Sequence, residues 1–232
     1  MQHPLIKTIT AYTNEAGVDF FGVADICAQR EAFARVWPAS LADISTGIVV
    51  GLHLDDAVVD QLLGPAETVP AEEYWSRCYR DINDRLDLIV FGLAELLVAQ
   101  GYRGVVIPAT LKVDADGLLG PFTHKAIARL AGLGWIGKSC MLITPQVGPR
   151  VRWATVLTDA PLPGSGAPLK GRCGSCRACV DICPVSAYTG RPFAVDEPVA
   201  LRFDTHRCQA HLKSAPVCGK CLAVCPWGRI TG

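Results

Sequence analysis

The spacing of the cysteines constrains this 232-residue chain more than any other feature of its sequence. Eight of the eleven cysteines lie between Cys173 and Cys225. The first run has the spacing C-x2-C-x2-C-x3-C-P, in which three thiolates bind one 4Fe-4S cluster and the fourth reaches a second cluster. It consists of Cys173, Cys176, Cys179 and Cys183, followed by Pro184. The run therefore predicts a bacterial-ferredoxin-like domain.

A second run keeps the end of the same spacing. It consists of Cys218, Cys221 and Cys225, followed by Pro226, and the upstream Cys208 is the candidate for its missing first cysteine. We therefore predict two 4Fe-4S clusters that exchange one ligand each. The ligands of the first are Cys173, Cys176, Cys179 and Cys225, and those of the second are Cys208, Cys218, Cys221 and Cys183.

Two alternatives use the same cysteines. Two structural zinc sites would also need four thiolates each, although zinc motifs usually present paired C-x2-C knuckles. A single cluster with spare thiols is the other alternative. The remaining cysteines, Cys27, Cys78 and Cys140, are expected to be small buried apolar residues.

Composition limits the class of partner. The chain carries 22 acidic and 22 basic residues, so its formal net charge is zero. Nucleic-acid binding usually shows as a basic excess, so the composition argues against a nucleic-acid partner. The first residues lack the basic start and apolar run of a signal peptide, and nowhere do about 18 uncharged apolar residues follow one another. We expect a cytoplasmic protein with no membrane partner.

Hydrophobic periodicity predicts an α/β domain over residues 1–160. Helices are predicted near Leu5–Ala16, over about Ala71–Gln100 with Gly101 as its stop, and in "PFTHKAIARLAGLG". Strands are predicted in "VDFFGVADI", "GIVVGLHL", "GVVIPA", "CMLITP" and "VRWATVLT". Residues 161–168, rich in Pro and Gly, are predicted to be a linker to a cluster domain over 169–232. That domain is loop-rich, so bound metal should supply much of its folding free energy.

The stretch "GLGWIGKS", from Gly132 to Ser139, matches both the phosphate-binding loop and the dinucleotide fingerprint. Both motifs require a strand before the glycines and a helix after them. Here the predicted order is helix, glycine loop, strand. We therefore predict that Lys138 does not bind a nucleotide phosphate and that the glycines end a helix.

Several of these motifs together resemble a known family. The combination of "AGLGWIGKS", a strand pair ending in "LTD", a Pro/Gly linker and a two-cluster module ending in "CPW" is similar to epoxyqueuosine reductases and their relatives, the reductive dehalogenases. The resemblance implies a nitroreductase-like, corrinoid-binding α/β fold with a ferredoxin-like module. It also implies a base-off cobamide that receives electrons from the clusters. Contacts to it would come from Gly132, Gly134, Gly137, Lys138, Arg150 and Arg152.

The chain departs from that family in two places. Epoxyqueuosine reductases have a proton-donating aspartate before the glycine motif, and here Asp114 and Asp116 lie near that position without aligning to it. The 232 residues contain no counterpart of the helical-repeat domain that helps bind tRNA in that family, so we expect the chain to resemble a short branch of the family. In that branch His124 and Lys125 stand where the larger enzymes have other residues.

Proton transfer has several candidates. His124 could donate a proton, with Lys125, Arg150 and Arg152 neutralising an anionic ligand. The alternative is that His124 is a hydrogen-bonded helix residue and that the cations face solvent or corrinoid groups. Further candidate donors are Tyr12, Tyr74, Tyr79 and Tyr102.

The predicted function is that of an oxidoreductase. Low-potential electrons from a donor such as ferredoxin or flavodoxin would pass through the two clusters to a cobamide that acts on a small-molecule or corrinoid substrate. One alternative is a corrinoid-free electron-transfer or binding module that serves a partner enzyme. A flavin in place of the corrinoid is a third reading. Nitroreductase-like folds often dimerise, so a homodimer is compatible with the sequence.

Overall fold

The computed structural model describes residues 4–27, 43–65, 70–110 and 124–229. It divides into two compact units, each built from three segments of the chain. Unit 1 comprises Met1–Leu52, Asn83–Leu133 and Arg152–Pro168, and unit 2 comprises His53–Ile82, Gly134–Val151 and Leu169–Gly232. The boundary between the units after Pro168 coincides with the end of the predicted linker. However, unit 2 also contains two earlier segments, His53–Ile82 and Gly134–Val151. The predicted domain boundaries therefore stay a prediction.

The secondary structure of the described residues follows the predicted order and adds short elements to it. The strands are β1 Phe20–Asp25, β2 Thr46–His53, β3 Val105–Ile107, β4 Trp135–Ile136, β5 Leu142–Ile143 and β6 Val151–Thr158. The helices are α1 Pro4–Glu15, α2 Asp56–Gln61, α3 Ala71–Trp75, α4 Asp81–Ala99, α5 His124–Leu130, α6 Ala178–Asp181, α7 Thr205–Ser214 and α8 Lys220–Ala223. A π-helical turn, Ser76–Arg80, joins α3 to α4, so one helical segment runs from Ala71 to Ala99 as predicted.

Unit 1 is built on a four-stranded sheet of order β1-β2-β6-β3. β1 is antiparallel to β2, with Phe20 opposite Gly51, and β3 is antiparallel to β6, with Val105 opposite Leu157. The two central strands are buried along almost their whole length. Continuous apolar runs of this kind belong to strands that are covered on both faces. The α/β class predicted from the sequence is confirmed.

Helix α5 lies close to the sheet of unit 1 because two strand residues have no side chain. A Cβ at Gly22 would lie 2.8 Å from Cβ of Ala131, and one at Gly47 would lie 3.0 Å from Cγ2 of Ile127. These glycines let the helix approach the strands directly. The close packing positions His124, the first residue of α5.

The predicted linker forms part of unit 1. The amide of Ser165 donates to the carbonyl of Val23 (2.8 Å), and the amide of Val23 donates to the hydroxyl of Ser165 (2.9 Å). Ser165 therefore pairs with the edge strand β1. The pairing extends over 142 positions of sequence, so no local pattern could have predicted it.

Unit 2 has a small apolar core and a region that is almost without one. The core contains Leu54, Val58, Val59, Leu62, Cys78 and Ala223. Between Leu169 and Arg229 only Ala187, Tyr188, Arg202, Gly219 and Ala223 are buried. This sparse burial agrees with the expectation that metal supplies folding free energy there. One expectation was wrong: Cys78 and Cys140 are buried, but Cys27 is exposed, because burial alternates along this segment and the buried position is that of the neighbouring Ile26.

Candidate metal centre

The four cysteines predicted to bind the first cluster line one cavity of unit 2. Three of them come from a tight turn and the start of α6, where the amide of Cys176 donates to the carbonyl of Cys173 (2.9 Å). The fourth, Cys225, comes from the turn after α8. The cavity is lined by Cys173, Cys176, Cys179 and Cys225, together with residues of the β4–β5 loop and of the segment Pro226–Trp227.

The four cysteines of the predicted second set are also neighbours. Burial, with smaller contributions from the thiols of Cys218, Cys208 and Cys183, raises the pKa of Cys221 to about 11, although the hydrogen bond from Tyr188 acts in the opposite direction. Burial also raises the pKa of Cys208, with contributions from Cys218 and Cys183. Cys208, on α7, therefore lies with the sulfurs that its predicted role requires.

The two sets adjoin each other. Burial is the main reason why the pKa of the Cys179 thiol is raised to about 12. The neighbouring Cys221, which belongs to the second set, contributes more to this rise than Cys173 and Cys225 of the first set. Thiolates packed this closely repel one another unless a metal neutralises them. The arrangement is compatible with two neighbouring metal centres, and the assignment of individual ligands stays a prediction.

The spacing of the cysteines along the chain favours clusters over zinc. Zinc motifs usually present paired C-x2-C knuckles. The first run here has the spacing C-x2-C-x2-C-x3-C-P, which is that of two-cluster ferredoxins. Four cysteines around an open cavity suit the larger iron–sulfur cube.

Lys138 holds the loop of the first cysteine set. Its ammonium donates to the carbonyls of Gly174 (2.8 Å) and Cys176 (2.9 Å), and its side chain lines the same cavity as the cysteines. Helix α5 precedes the glycine loop, β4 lies within it and β5 follows it, so the predicted order of helix, glycine loop and strand is confirmed. Lys138 therefore supports a cysteine loop, and the helix that a phosphate loop requires does not follow it.

Aromatic side chains also lie next to the first cysteine set. Trp227 packs edge-on against Trp135, with ring centroids 4.8 Å apart. The guanidinium of Arg172 lies 5.9 Å from the Trp135 ring and 6.0 Å from the Trp227 ring. Trp227 also lines the cavity. Trp227, held by its contact with Trp135, therefore contributes an apolar wall to the cavity of the first cysteine set.

Two adjacent residues donate hydrogen bonds to sulfurs of the second set. The Tyr188 hydroxyl donates to Sγ of Cys221 (3.4 Å), and the amide of Ala187 donates to Sγ of Cys183 (3.3 Å). Burial raises the pKa of Tyr188, so the hydroxyl keeps its proton and remains a donor. Sequence reasoning missed both residues: nothing in the sequence distinguishes Tyr188 from the other four tyrosines.

The glycines predicted to face a planar cofactor each meet the protein's own atoms. Gly132 has φ +80° and ends α5, and its Cβ would lie 3.0 Å from the carbonyl oxygen of Ala167. A Cβ at Gly134 would collide with the carbonyl oxygen of Ile143 in the β4–β5 hairpin. One at Gly137 would lie 2.8 Å from Cγ1 of Ile143 and 3.6 Å from Sγ of Cys173. The end of helix α5 explains the glycine at position 132, and close packing against Ile143 explains Gly134 and Gly137.

The two predicted arginines also have protein partners. Arg150 is almost fully buried and forms ion pairs with Asp56 (2.7 Å) and Asp60 (2.6 Å), two carboxylates that sequence reasoning missed. Arg152 donates to the side-chain oxygen of Asn83. The charge of Arg150 is therefore already balanced within unit 2.

His124 is bound through both ring nitrogens. Its Nε2 lies 3.2 Å from the carbonyl of Pro108, which can only accept, so Nε2 carries the proton. Nδ1 then accepts from the hydroxyl of Thr155 (2.9 Å). Burial lowers the pKa of His124 to about 4, despite the bond to Pro108, and nearby Arg152 and Lys125 lower it too. This geometry supports the alternative of a hydrogen-bonded helix residue, and the catalytic role of His124 and Lys125 stays a prediction.

Two further predictions concern the aspartates before the glycine motif and the location of the protein in the cell. Asp114 and Asp116 lie outside the described residues. None of the helices in the described ranges is both long enough and apolar enough to cross a membrane. The cytoplasmic location stays a prediction.

The fold and the cysteine sets together define an iron–sulfur protein with an α/β unit and a two-cluster module. Residues 172–229 match the family described as 4Fe-4S dicluster domain. The chain is similar to epoxyqueuosine reductases. That of Pseudomonas aeruginosa is 28% identical over 97% of this chain and 69% of its own length. That of Synechococcus sp. (strain CC9605) is 35% identical over 82% of this chain and 58% of its own length.

Solved structures share the fold. An epoxyqueuosine reductase with an epoxyqueuosine-modified tRNA-Tyr stem loop has a TM-score of 0.64 at 19% identity, covering 97% of this chain and 66% of that one. A reductive dehalogenase, described as suggesting a mechanism for B12-dependent dehalogenation, has a TM-score of 0.69 at 19% identity and covers 97% and 32%. The resemblance predicted from the sequence is confirmed. The chain spans about half to two thirds of the length of most of these relatives.

The prediction against a nucleic-acid partner was wrong. An epoxyqueuosine reductase of the same fold is bound to a tRNA stem loop. A net charge of zero is a sum over the whole chain and does not exclude a local basic region. Residues 169–232 contain nine Lys and Arg against four Asp and Glu.

Proposed function

We propose that this chain is an iron–sulfur reductase of the epoxyqueuosine reductase type. The observation that carries the proposal is the pair of adjoining cysteine sets in unit 2, which supports two clusters in series. The first cluster would be held by Cys173, Cys176, Cys179 and Cys225, and the second by Cys208, Cys218, Cys221 and Cys183. Cys179 of the first set lies near Cys221 of the second set, and this supports electron transfer between the two clusters.

A cobamide is proposed as the acceptor of these electrons. The support is the fold shared with the B12-dependent reductive dehalogenase. When bound, a cobamide would supply a cobalt centre that accepts electrons one at a time. The residues that the sequence assigned to it do not fit that role well, because Gly132, Gly134 and Arg150 have structural partners of their own. The prediction that Gly137, Lys138 and Arg152 contact the cobamide is not tested and stays a prediction.

The substrate is proposed to be a modified nucleoside carried by RNA. The support is the relative that binds an epoxyqueuosine-modified stem loop and the basic excess of residues 169–232. This replaces the small-molecule or corrinoid substrate predicted from the sequence.

A corrinoid-free electron-transfer module is the second candidate. The observation that favours it is that Gly132, Gly134 and Arg150 contact other parts of the protein, which removes several of the contacts that the resemblance assigned to the cobamide. Cobalt content separates the two candidates.

Anaerobic reconstitution with iron, sulfide and hydroxocobalamin tests the proposal. We expect about eight irons and about one cobalt per chain, with a base-off cobalt signal in electron paramagnetic resonance. Cys208→Ala should keep about four irons, because the first set remains complete. Eight irons without cobalt would favour the electron-transfer module. Eight irons in Cys208→Ala would refute the ligand assignment.

A further inference from the structure

Tyr188 places a hydroxyl on a sulfur of the second cysteine set. Its oxygen lies 3.4 Å from Sγ of Cys221, and the side chain is only 8% exposed. The ring stacks on Phe203, with centroids 4.7 Å apart and planes inclined by 14°. The hydroxyl therefore reaches the thiolate from a packed, water-poor position.

The backbone around Tyr188 is held on both sides. The amide of Thr189 donates to the carbonyl of Arg202 (3.0 Å), and the amide of Asp204 donates to the carbonyl of Ala187 (2.8 Å). Tyr188 also forms an antiparallel bridge with Phe203. These contacts fix the phenol relative to Cys221, so the hydrogen bond does not depend on a mobile side chain.

A hydrogen bond to a cluster thiolate favours the reduced cluster. Reduction adds one electron and breaks no bond, and part of the added charge resides on the cysteine sulfurs. A donor fixed on one of them stabilises the more negative state more strongly, which raises the reduction potential. We propose that the Tyr188 hydroxyl raises the reduction potential of the second cluster and so sets the energy of one step in the electron path. The proposal rests on the proposed ligand set of that cluster.

Tyr188→Phe tests this because it removes the hydroxyl and keeps the stacked ring. Redox titration with dithionite and mediators, followed by electron paramagnetic resonance, measures each cluster. At a fixed potential the ratio of reduced to oxidised second cluster should fall by about threefold to tenfold; tenfold is about 59 mV for one electron. The signal absent from Cys208→Ala identifies the second cluster. Tyr79→Phe, which removes a hydroxyl from the ring packed on Trp75, is the matched control.

Iron content separates failure of this proposal from failure of the cluster assignment. Tyr188→Phe with about eight irons and unshifted potentials overturns the proposal, as does a shift confined to the first cluster. If the wild-type protein binds no clusters, the proposed function fails first. If Tyr188→Phe loses iron, the proposal is tested with 3-fluorotyrosine at position 188. Its more acidic hydroxyl is a stronger hydrogen-bond donor, so it should raise the reduction potential of the second cluster. An unchanged or lowered potential there overturns the proposal.

Discussion

At the residue scale, His124 shows how burial determines protonation. The ring is neutral in the folded protein, because burial lowers its pKa to about 4. The unfolded chain takes up a proton below about pH 6.5, so this residue's contribution to stability is complete above that pH and is lost as the pH falls towards 4. Between about pH 7.5 and about pH 5 the loss should be about 2 kcal/mol. His124→Gln should remove this part of the pH dependence.

Urea unfolding followed by tryptophan fluorescence at the two pH values measures the effect. The variant should be less stable than the wild type at the higher pH, because its amide replaces the two ring hydrogen bonds imperfectly. The difference between the two proteins should then shrink as the pH falls. An equal loss of stability in both would contradict the assigned protonation state.

At the element scale, the β4–β5 loop supports the first cysteine loop through Lys138. Lys138→Met removes both bonds to the carbonyls of Gly174 and Cys176. Hydrogen bonds to charged groups contribute about 1.5–3 kcal/mol to stability, and partial exposure to solvent reduces this contribution. We therefore expect the substitution to destabilise the folded conformation of the cysteine loop by about 1–2 kcal/mol. The first cluster should therefore lose iron to a chelator roughly tenfold faster. Iron release with a ferrous chelator measures it.

Lys138→Arg is the matched control, because its guanidinium can still donate to two carbonyls. It should release iron at a rate closer to that of the wild type. Equal rates in all three proteins would exclude a supporting role for Lys138. Because a helix does not follow the glycine loop, titration with magnesium ATP should show no saturable binding.

At the scale of the whole molecule, the balanced charge conceals an uneven distribution. The basic excess of residues 169–232 predicts that the cluster-loaded protein binds an RNA stem loop and that binding weakens as salt is raised. Lys213→Glu, on the exposed side of α7, should lower the affinity several-fold at low salt. Fluorescence anisotropy of a labelled stem loop measures it.

Lys7→Glu provides the control, since Lys7 is exposed on α1 of unit 1 and the substitution changes the net charge by the same amount. It should weaken binding less than Lys213→Glu. Equal effects would show that only the total charge matters. Binding that does not respond to salt would contradict an electrostatic interface.

The sequence by itself determined the features that depend on neighbouring residues. Cysteine spacing predicted which thiols could share a cluster, because most ligands of one cube come from one short turn and the last cysteine of a run reaches the other cluster. Apolar periodicity predicted α1, the long helical segment ending before Gly101, and the strands β1, β2 and β6. The π-helical turn at Ser76–Arg80 and the hairpin strand β4 have no strong local pattern, and they were not predicted.

Only the tertiary structure decided what the individual side chains contact. Lys138, Gly134 and Arg150 were assigned to a cofactor from a resemblance, yet they contact a cysteine loop, a strand carbonyl and two carboxylates. Tyr188 was overlooked, although it lies on a cysteine sulfur. Such contacts join residues far apart in the chain, and their partners are chosen by packing and by the need to satisfy buried charge and hydrogen bonds. No local pattern of residues carries that information.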